Sequence, residues 1–387
     1  MISYGRQYID NSDVKAVSKV LKSDWLTQGP QIAKFEEALK KKFSAKYCSV
    51  VSNGTAALHL AGKALGWKKG DIVLTTPITF LATSNCILYS RATPNFVDIC
   101  PISYNIDVNK LEKKIKNLNV HSKKVVAIIA TDYAGHPCDW KSLKEISLKY
   151  KVKLINDNCH AIGAKYNNDK NYAVKYADIV THSYHPVKNI TSGEGGAILT
   201  NQKKIYEKIR LLRSHGITKD PKQMKVNHGP WYYEMQELGY NYRITDIQCA
   251  LGINQLKKID KFIKRRREIA KIYNGFFSKY IAFSIPTIRE NSSHAYHLYP
   301  LQIDFDEIKI SKKQLFNSMK SKNINLQVHY VPVHLHPYYK KMYNFKVGDF
   351  PVAEKFYKNE VSLPIYFSLK DKQIFNIINL IKKFCNN

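Results

Sequence analysis

The stretch Asp178-Ile-Val-Thr-His-Ser-Tyr-His-Pro-Val-Lys188-Asn-Ile-Thr-Ser-Gly-Glu-Gly-Gly-Ala-Ile-Leu-Thr-Asn201 decides the fold. It opens apolar and β-branched at Ile179-Val180-Thr181 and closes the same way at Ala197-Ile198-Leu199-Thr200, as two short buried strands do. Between them lie polar residues, two histidines, a lone Lys188 and the flexible run Gly193-Glu194-Gly195-Gly196. Buried strands joined by a glycine-rich loop make a rigid holder for a polar site. A lysine held there is partly desolvated, which lowers the pKa of its amine and makes it a nucleophile toward a carbonyl. Read alone, the same residues also describe a surface hairpin carrying one lysine among many, because paired glycines mark turns.

The segment upstream separates these readings. At Val152-Lys-Leu-Ile-Asn-Asp157-Asn-Cys-His160-Ala-Ile-Gly-Ala164 an apolar strand runs straight into Asp157. An acid at the C-terminal end of a strand in an α/β sheet lies on the edge where ligands bind. Burying that carboxylate costs free energy unless it meets a cation. The protonated ring nitrogen of pyridoxal phosphate (PLP) is such a cation, and a Schiff-base lysine with an acidic partner for the ring nitrogen is how proteins hold this cofactor.

The rest of the chain fits an α/β enzyme. Its 387 residues are enough for a large and a small domain. No apolar run approaches the roughly 18 residues of a membrane span, and Met1-Ile-Ser-Tyr-Gly-Arg-Gln lacks an apolar signal region. The seven cysteines are scattered and never spaced C-x-x-C, which speaks for a reducing cytoplasm and against a disulfide framework or cysteine zinc site. A net charge of +30 invites a nucleic-acid reading. However, the lysines are spread along the whole length, and the densest run, Lys264-Arg-Arg-Arg267, passes into Glu268 within a helical pattern. No nucleic-acid partner is therefore expected.

Ser12 or Asp13 can cap a helix through Leu21, and Gly29-Pro30 breaks the chain after a loop holding Trp25. The strand Tyr47-Cys-Ser-Val-Val-Ser52 turns at Asn53-Gly54-Thr55-Ala56 into a helix, a place where N–H groups and a hydroxyl meet an anion. Phe80 follows the strand Asp71–Thr76, where a flat aromatic face can cover a heterocycle. Strands at Pro94–Asp98 and Lys124–Ala130 alternate with helices, which implies a mainly parallel sheet covered on both faces. Thr245 caps a helix expected to run unbroken to about Tyr273. We expect an arm and large α/β domain over 1–255, and a linking helix with a small α+β domain over 256–387. The histidines between His294 and His336 lack an acid or cysteine beside them, so no metal site is expected.

Taken together, S-N-G-T-A-A-L, T-P-I-T-F, D-N-C-H-A-I-G-A, S-Y-H-P-V-K-N-I-T-S-G-E-G-G, L-R-S-H-G and E-L-G-Y-N-Y-R-I-T-D-I-Q-C-A-L-G resemble the DegT/DnrJ/EryC1/StrS family of PLP-dependent sugar aminotransferases, of fold type I. The resemblance extends from Tyr4 to the final helix. It implies that Lys188 carries PLP, that Asp157 faces its ring nitrogen and that His160 contacts its ring oxygen. It also implies that Gly54, Thr55, Ala56 and Ser183 bind the phosphate, that Phe80 stacks on the ring, and that Asn241 reaches the phosphate of the other subunit of a homodimer. Tyr4, the loop Trp25-Leu26-Thr27 and the segment Gln327-Val328-His329-Tyr330 match positions lining a sugar-nucleotide pocket. Q-V-H-Y-V-P-V-H and S-S-x-x-x-H-L-Y-P look most like the branch serving pseudaminic acid synthesis. That branch implies transfer from glutamate to the C4 keto group of a UDP-linked 4-keto-6-deoxy-N-acetylhexosamine. The alternatives are another nucleotide-linked keto-sugar, or sugar dehydration, a reaction whose family branch carries histidine in place of Lys188. Asn156, Asn158 and Asn189 depart mildly from the family pattern.

Overall fold

Seven strands form the main sheet of the computed structural model, which describes residues 1–121 and 124–383. In chain order they are β1 (Tyr47–Val51), β2 (Ile72–Thr75), β3 (Thr93–Phe96), β4 (Val125–Thr131), β5 (Lys153–Asp157), β6 (Ile179–Ser183) and β7 (Gly196–Thr200). Across the sheet the order is β1-β7-β6-β5-β4-β2-β3. Strands β3, β2, β4, β5 and β6 are mutually parallel, while β7 runs antiparallel to both β6 and β1. Alternation along each strand sends Val180 and Leu199 into one apolar cluster, with Phe35 and Trp140. It sends Ile179 and Ile198 into the other, with Leu60 and Ile209. Helices therefore cover both faces, as an α/β sheet of such apolar strands requires. Register places Asp157 level with Thr131 on β4 and Thr181 on β6, so the C-terminal strand ends form one polar edge.

Two details differ from the sequence reading. The first helix, Asn11–Leu21, is capped by Asp10, whose side chain accepts from Ser12 N and Asp13 N. Asp13 instead occupies the third helical position and accepts from Asp10 N at 3.0 Å, closing a capping box. The expected long helix is two helices, Asp246–Leu256 and Ile259–Phe277. Thr245 does cap the former, reciprocally with Gln248. At the break Lys258 bonds Asp10 and Asp13, and Gln255 also reaches Asp13, so the residues flanking it are tied to the first helix.

A short hairpin, β8 (Ile217–Thr218) and β9 (Glu234–Met235), precedes these helices. Beyond them β10 (Phe283–Ser284), β11 (Tyr299–Ile303) and β12 (Glu360–Leu363) form an antiparallel sheet whose own core includes Tyr273, Phe277, Leu301, Leu315, Val361 and Ile378. The N-terminal arm is tied to this part: Ile2 N donates to Asn323 O at 2.8 Å and Ile365 N to Tyr4 O at 3.0 Å. Among the described residues no helix is long and apolar enough to cross a membrane. Cys385 lies outside the described residues.

Candidate active site

Asp157 ends β5 and is buried. Its oxygens accept from neutral donors, Thr83 Oγ1 at 2.6 Å and the Cys159 N–H at 3.3 Å. Thr83 Oγ1 also meets Thr79 Oγ1 at 2.8 Å, which fixes the rotor. A buried carboxylate held only by neutral donors keeps an electrostatic need for a cation. The flanking asparagines turn away from it: Asn156 and Asn158 both donate to Asp132 Oδ2, at 3.2 and 2.9 Å. Asp132, with Trp140 Nε1 at 2.9 Å and Tyr172 Oη at 2.7 Å, thus anchors the strand end carrying Asp157. This gives the departures at Asn156 and Asn158 a structural purpose.

Lys188 sits in a loop closed on itself between β6 and β7. Tyr184 N donates to Gly195 O at 2.8 Å, and Tyr184 O accepts from Ser192 N and Thr191 Oγ1 at 3.0 Å each. Asn189 pins the loop to Ile162 O at 2.9 Å. Lys188 is half-buried, and burial lowers its ammonium pKa while Cys159 and Asp157 oppose the shift. Burial also pushes the Cys159 thiol well up, so it stays uncharged near neutrality and Asp157 is the anion that Lys188 senses.

His160 is buried beside them. Its Nδ1 accepts from the Ala134 N–H at 3.3 Å, and its Nε2 lies 3.1 Å from Tyr330 Oη. Burial, then Lys188, hold the imidazole far below its usual range and keep it neutral. The His297 ring lies 4.4 Å from that of His160, and Tyr330 stands against Phe80 at 6.0 Å and His329 at 4.9 Å. Tyr4 completes this wall, 5.0 Å from His329. Phe80 is 55% exposed, its apolar face bare beside the polar edge.

At the other end of the edge, Asn53 caps the helix Gly54–Ala64 by accepting from Ala56 N at 2.8 Å. The N–H groups of Gly54 and Thr55 point out of the first turn without partners among the described residues. The turn approaches β6 so closely that a Cβ on Gly54 would stand 2.8 Å from Ser183 Cβ. A helix N-terminus with two free donors, the Thr55 hydroxyl and Ser183 beside it forms a cup suited to a phosphate dianion.

One chain therefore brings together Lys188, Asp157, His160, Phe80 and Tyr330, with Gly54, Thr55, Ala56 and Ser183 at the cup and Tyr4 and His329 at the wall, while half-buried Val328 adjoins His329 in the chain. Gln327 pairs through its backbone with Ser362, and its exposed side chain accepts from Val328 N. The side chains of Trp25, Leu26, Thr27 and Asn241 make no hydrogen bond or ring contact with this group among the described residues, although Tyr242 O, next to Asn241, accepts from Ser52 N at 2.9 Å. Trp25 and Leu26 are exposed, Thr27 bridges to Thr245, and Leu26 O accepts from Asp246 N at 3.0 Å. Asn241 is exposed, with its backbone bridged to Ser214. Sequence reasoning missed His297, although it lies in a quoted motif, and Thr83, whose spacing of four from Thr79 on a helix start was the only available signal.

A model of the DegT/DnrJ/EryC1/StrS aminotransferase family matches residues 7–382. The chain belongs to that family. It is 40% identical to the UDP-4-amino-4,6-dideoxy-N-acetyl-beta-L-altrosamine transaminase of Campylobacter jejuni, over 99% of each chain. The solved structure of Helicobacter pylori PseC, an aminotransferase of pseudaminic acid biosynthesis, superimposes with a TM-score of 0.89 at 32% identity, over 100% of this chain and 99% of that one. A Streptococcus pneumoniae sugar aminotransferase in its pyridoxamine phosphate form gives 0.90 at 26% identity, over 100% and 99%. The protein is thus a sugar aminotransferase that depends on PLP, as the PLP and pyridoxamine phosphate forms of its neighbours imply. The site fits that cofactor: an anion cup, a buried carboxylate awaiting a cation, a desolvated amine and a bare aromatic face.

Proposed function

We propose that this aminotransferase moves the amino group of glutamate to the C4 keto group of a UDP-linked 4-keto-6-deoxy-N-acetylhexosamine. The observation that carries the reading is the convergence of Lys188, Asp157 and the His160–Tyr330 pair on one strand edge, beside the wall formed by Tyr4 and His329. Similarity over the full length to the Campylobacter jejuni transaminase supports the sugar class.

When bound, PLP supplies an electron sink for the carbon that loses its proton. Lys188 would carry the cofactor at Nζ and, once displaced by the amino donor, hold a neutral amine ready to take and return that proton. Asp157 would keep the ring nitrogen protonated, its orientation set by Thr83 and Cys159. Gly54, Thr55, Ala56 and Ser183 would hold the phosphate, Phe80 would cover the ring, and His160 would face its oxygen side. Tyr4 and Gln327 to Tyr330 would receive the sugar nucleotide.

The unit is read as a homodimer in which Asn241, with Trp25 to Thr27, serves the partner's site. Their exposure supports this, as does that of Trp231, Met235 and Leu238 in the loop before Asn241.

The test is a two-stage reaction followed by absorbance and mass spectrometry. Glutamate should convert the bound cofactor to its amine form, and the UDP-linked keto-sugar should restore it and yield a 4-amino sugar. Restoration only by a sugar on another nucleotide would move the reading to that substrate. A product that has lost a sugar hydroxyl and gained no nitrogen would point to dehydration instead.

A further inference from the structure

Glu360 opens β12 and is 0% exposed. A carboxylate withdrawn from water costs several kcal/mol unless donors fill its oxygens. Lys312, whose field reaches it, gives a hydrogen to Tyr357 O at 2.7 Å rather than to the carboxylate. The oxygens of Glu360 are used on the sugar side of the site. Oε2 accepts from the His329 N–H at 2.9 Å, and Oε1 accepts from Ser362 Oγ. Ser362 Oγ in turn lies 2.8 Å from His329 Nδ1. One buried acid therefore grips one histidine twice, at its backbone and, through a serine, at its ring.

The direction of the bonds follows from counting hydrogens. Serine has one hydroxyl hydrogen, and here Glu360 receives it, so Ser362 can only accept from Nδ1–H. Burial, then Lys188, hold the His329 imidazole at about 3, so the ring is neutral. A neutral ring protonated at Nδ1 has a lone pair at Nε2. Among the described residues Nε2 has no protein partner. The ring stands between Tyr4 and Tyr330, which line the sugar pocket in the function proposed above.

We propose that Glu360 is a positioning residue that sets the tautomer of His329, making Nε2 a hydrogen-bond acceptor for a hydroxyl or amide N–H of the sugar substrate. The proposal rests on the reading of the sugar pocket given above.

A purely space-filling role is distinguishable, because glutamine has the same shape. In Glu360→Gln the carbonyl must stay on the His329 N–H, since an amide NH₂ would oppose it. The NH₂ then faces Ser362, which accepts from it and turns its own hydrogen to His329 Nδ1. The imidazole hydrogen moves to Nε2, and the acceptor offered to the sugar becomes a donor. Volume and number of bonds are unchanged while the polarity reverses. Burial raises the Glu360 carboxyl above the usual range, so the comparison is run on the alkaline side, where it is ionised.

The experiment uses the holoenzyme and reads ring ¹⁵N shifts of His329, identified by difference from His329→Gln, together with both half-reactions. The expected result is an Nδ1–H ring in the wild type and an Nε2–H ring in Glu360→Gln. The KM for the keto-sugar should rise at least about tenfold, the loss of one well-placed hydrogen bond. kcat should change little, and the glutamate half-reaction should keep its rate. Ser362→Ala retains the acid and cuts the relay, so it should show both tautomers and an intermediate KM. It carries the same test if the glutamine variant does not fold. An unchanged tautomer in these variants overturns the proposal, as does a reversed tautomer with an unchanged keto-sugar KM. A wild type that turns over no UDP-linked keto-sugar would instead overturn the sugar reading, and the ¹⁵N result would still decide whether Glu360 sets the ring.

Discussion

His160 and Tyr330, 170 residues apart in the chain, share a hydrogen bond of 3.1 Å whose direction can be assigned. The Ala134 N–H occupies Nδ1, so the neutral ring carries its hydrogen on Nε2 and donates to the tyrosine oxygen. The hydroxyl hydrogen of Tyr330 is thereby left for a ligand. Tyr330→Phe removes that donor and strands a buried N–H, which costs about 1–3 kcal/mol. The expected outcome is a fall of roughly ten- to a hundredfold in kcat/KM for the keto-sugar, read in steady-state assays. Wild-type values in this variant would remove Tyr330 from the site.

Lys188→Ala should keep bound PLP, because the cup and Asp157 do not need the lysine. Transamination should fall by at least about a thousandfold, since nucleophile and proton carrier are lost together. Borohydride should attach the cofactor to the peptide containing Lys188 in the wild type and to no peptide in the variant. Appreciable turnover by the variant would contradict the assignment.

If Asn241 serves the partner's site, two inactive proteins should rescue each other. In a heterodimer of Lys188→Ala and Asn241→Ala, one site carries both lesions and the other carries neither. Activity should therefore return on mixing, toward half per dimer formed. Subunit exchange seen by native mass spectrometry without recovered activity would place Asn241 in its own chain's pocket.

Asp132 sets a stability-versus-pH slope. Burial pushes its carboxyl up to about 6, and donors such as the Cys138 N–H only partly offset this. Between the usual carboxylate value and 6 the folded chain keeps a proton that the unfolded chain releases. Stability therefore falls as pH rises through that window, by roughly 3 kcal/mol, and is level above it. In urea melts, the advantage of wild type over Asp132→Asn should be larger at pH 4 than at pH 7. An equal difference at both values would show that Asp132 does not titrate in this way.

The candidates Lys188 and Asp157 stood out in the sequence because Asp157 ends an apolar strand and Lys188 lies in the loop just past another, where a charged residue contrasts with its surroundings. The turn at Asn53-Gly54 was legible because capping chemistry is local. The cap of the first helix was not, since Asp10, Ser12 and Asp13 are all competent and only the fold decides which precedes the first turn. The break between Leu256 and Ile259 has no glycine or proline to announce it. Thr83 and Glu360 were invisible for another reason. Their partners, Asp157 and His329, lie 74 and 31 residues away, and nothing in their neighbours distinguishes them from ordinary packing.

The arm bearing Tyr4 is held by residues made much later in the chain: Ile2 pairs with Asn323 and Asn325, and Tyr4 with Ile365. At a translation rate of about 5–20 residues per second, the arm waits roughly 15–70 s on the ribosome before all of its partners exist. The β1–β7 sheet can assemble in that interval, but the wall of Tyr4, His329 and Tyr330 cannot. A chain stopped just short of residue 365 would keep the Ile2 pairing but lose the bond from Ile365 N to Tyr4 O, so a late truncation would reach back to the wall of the site.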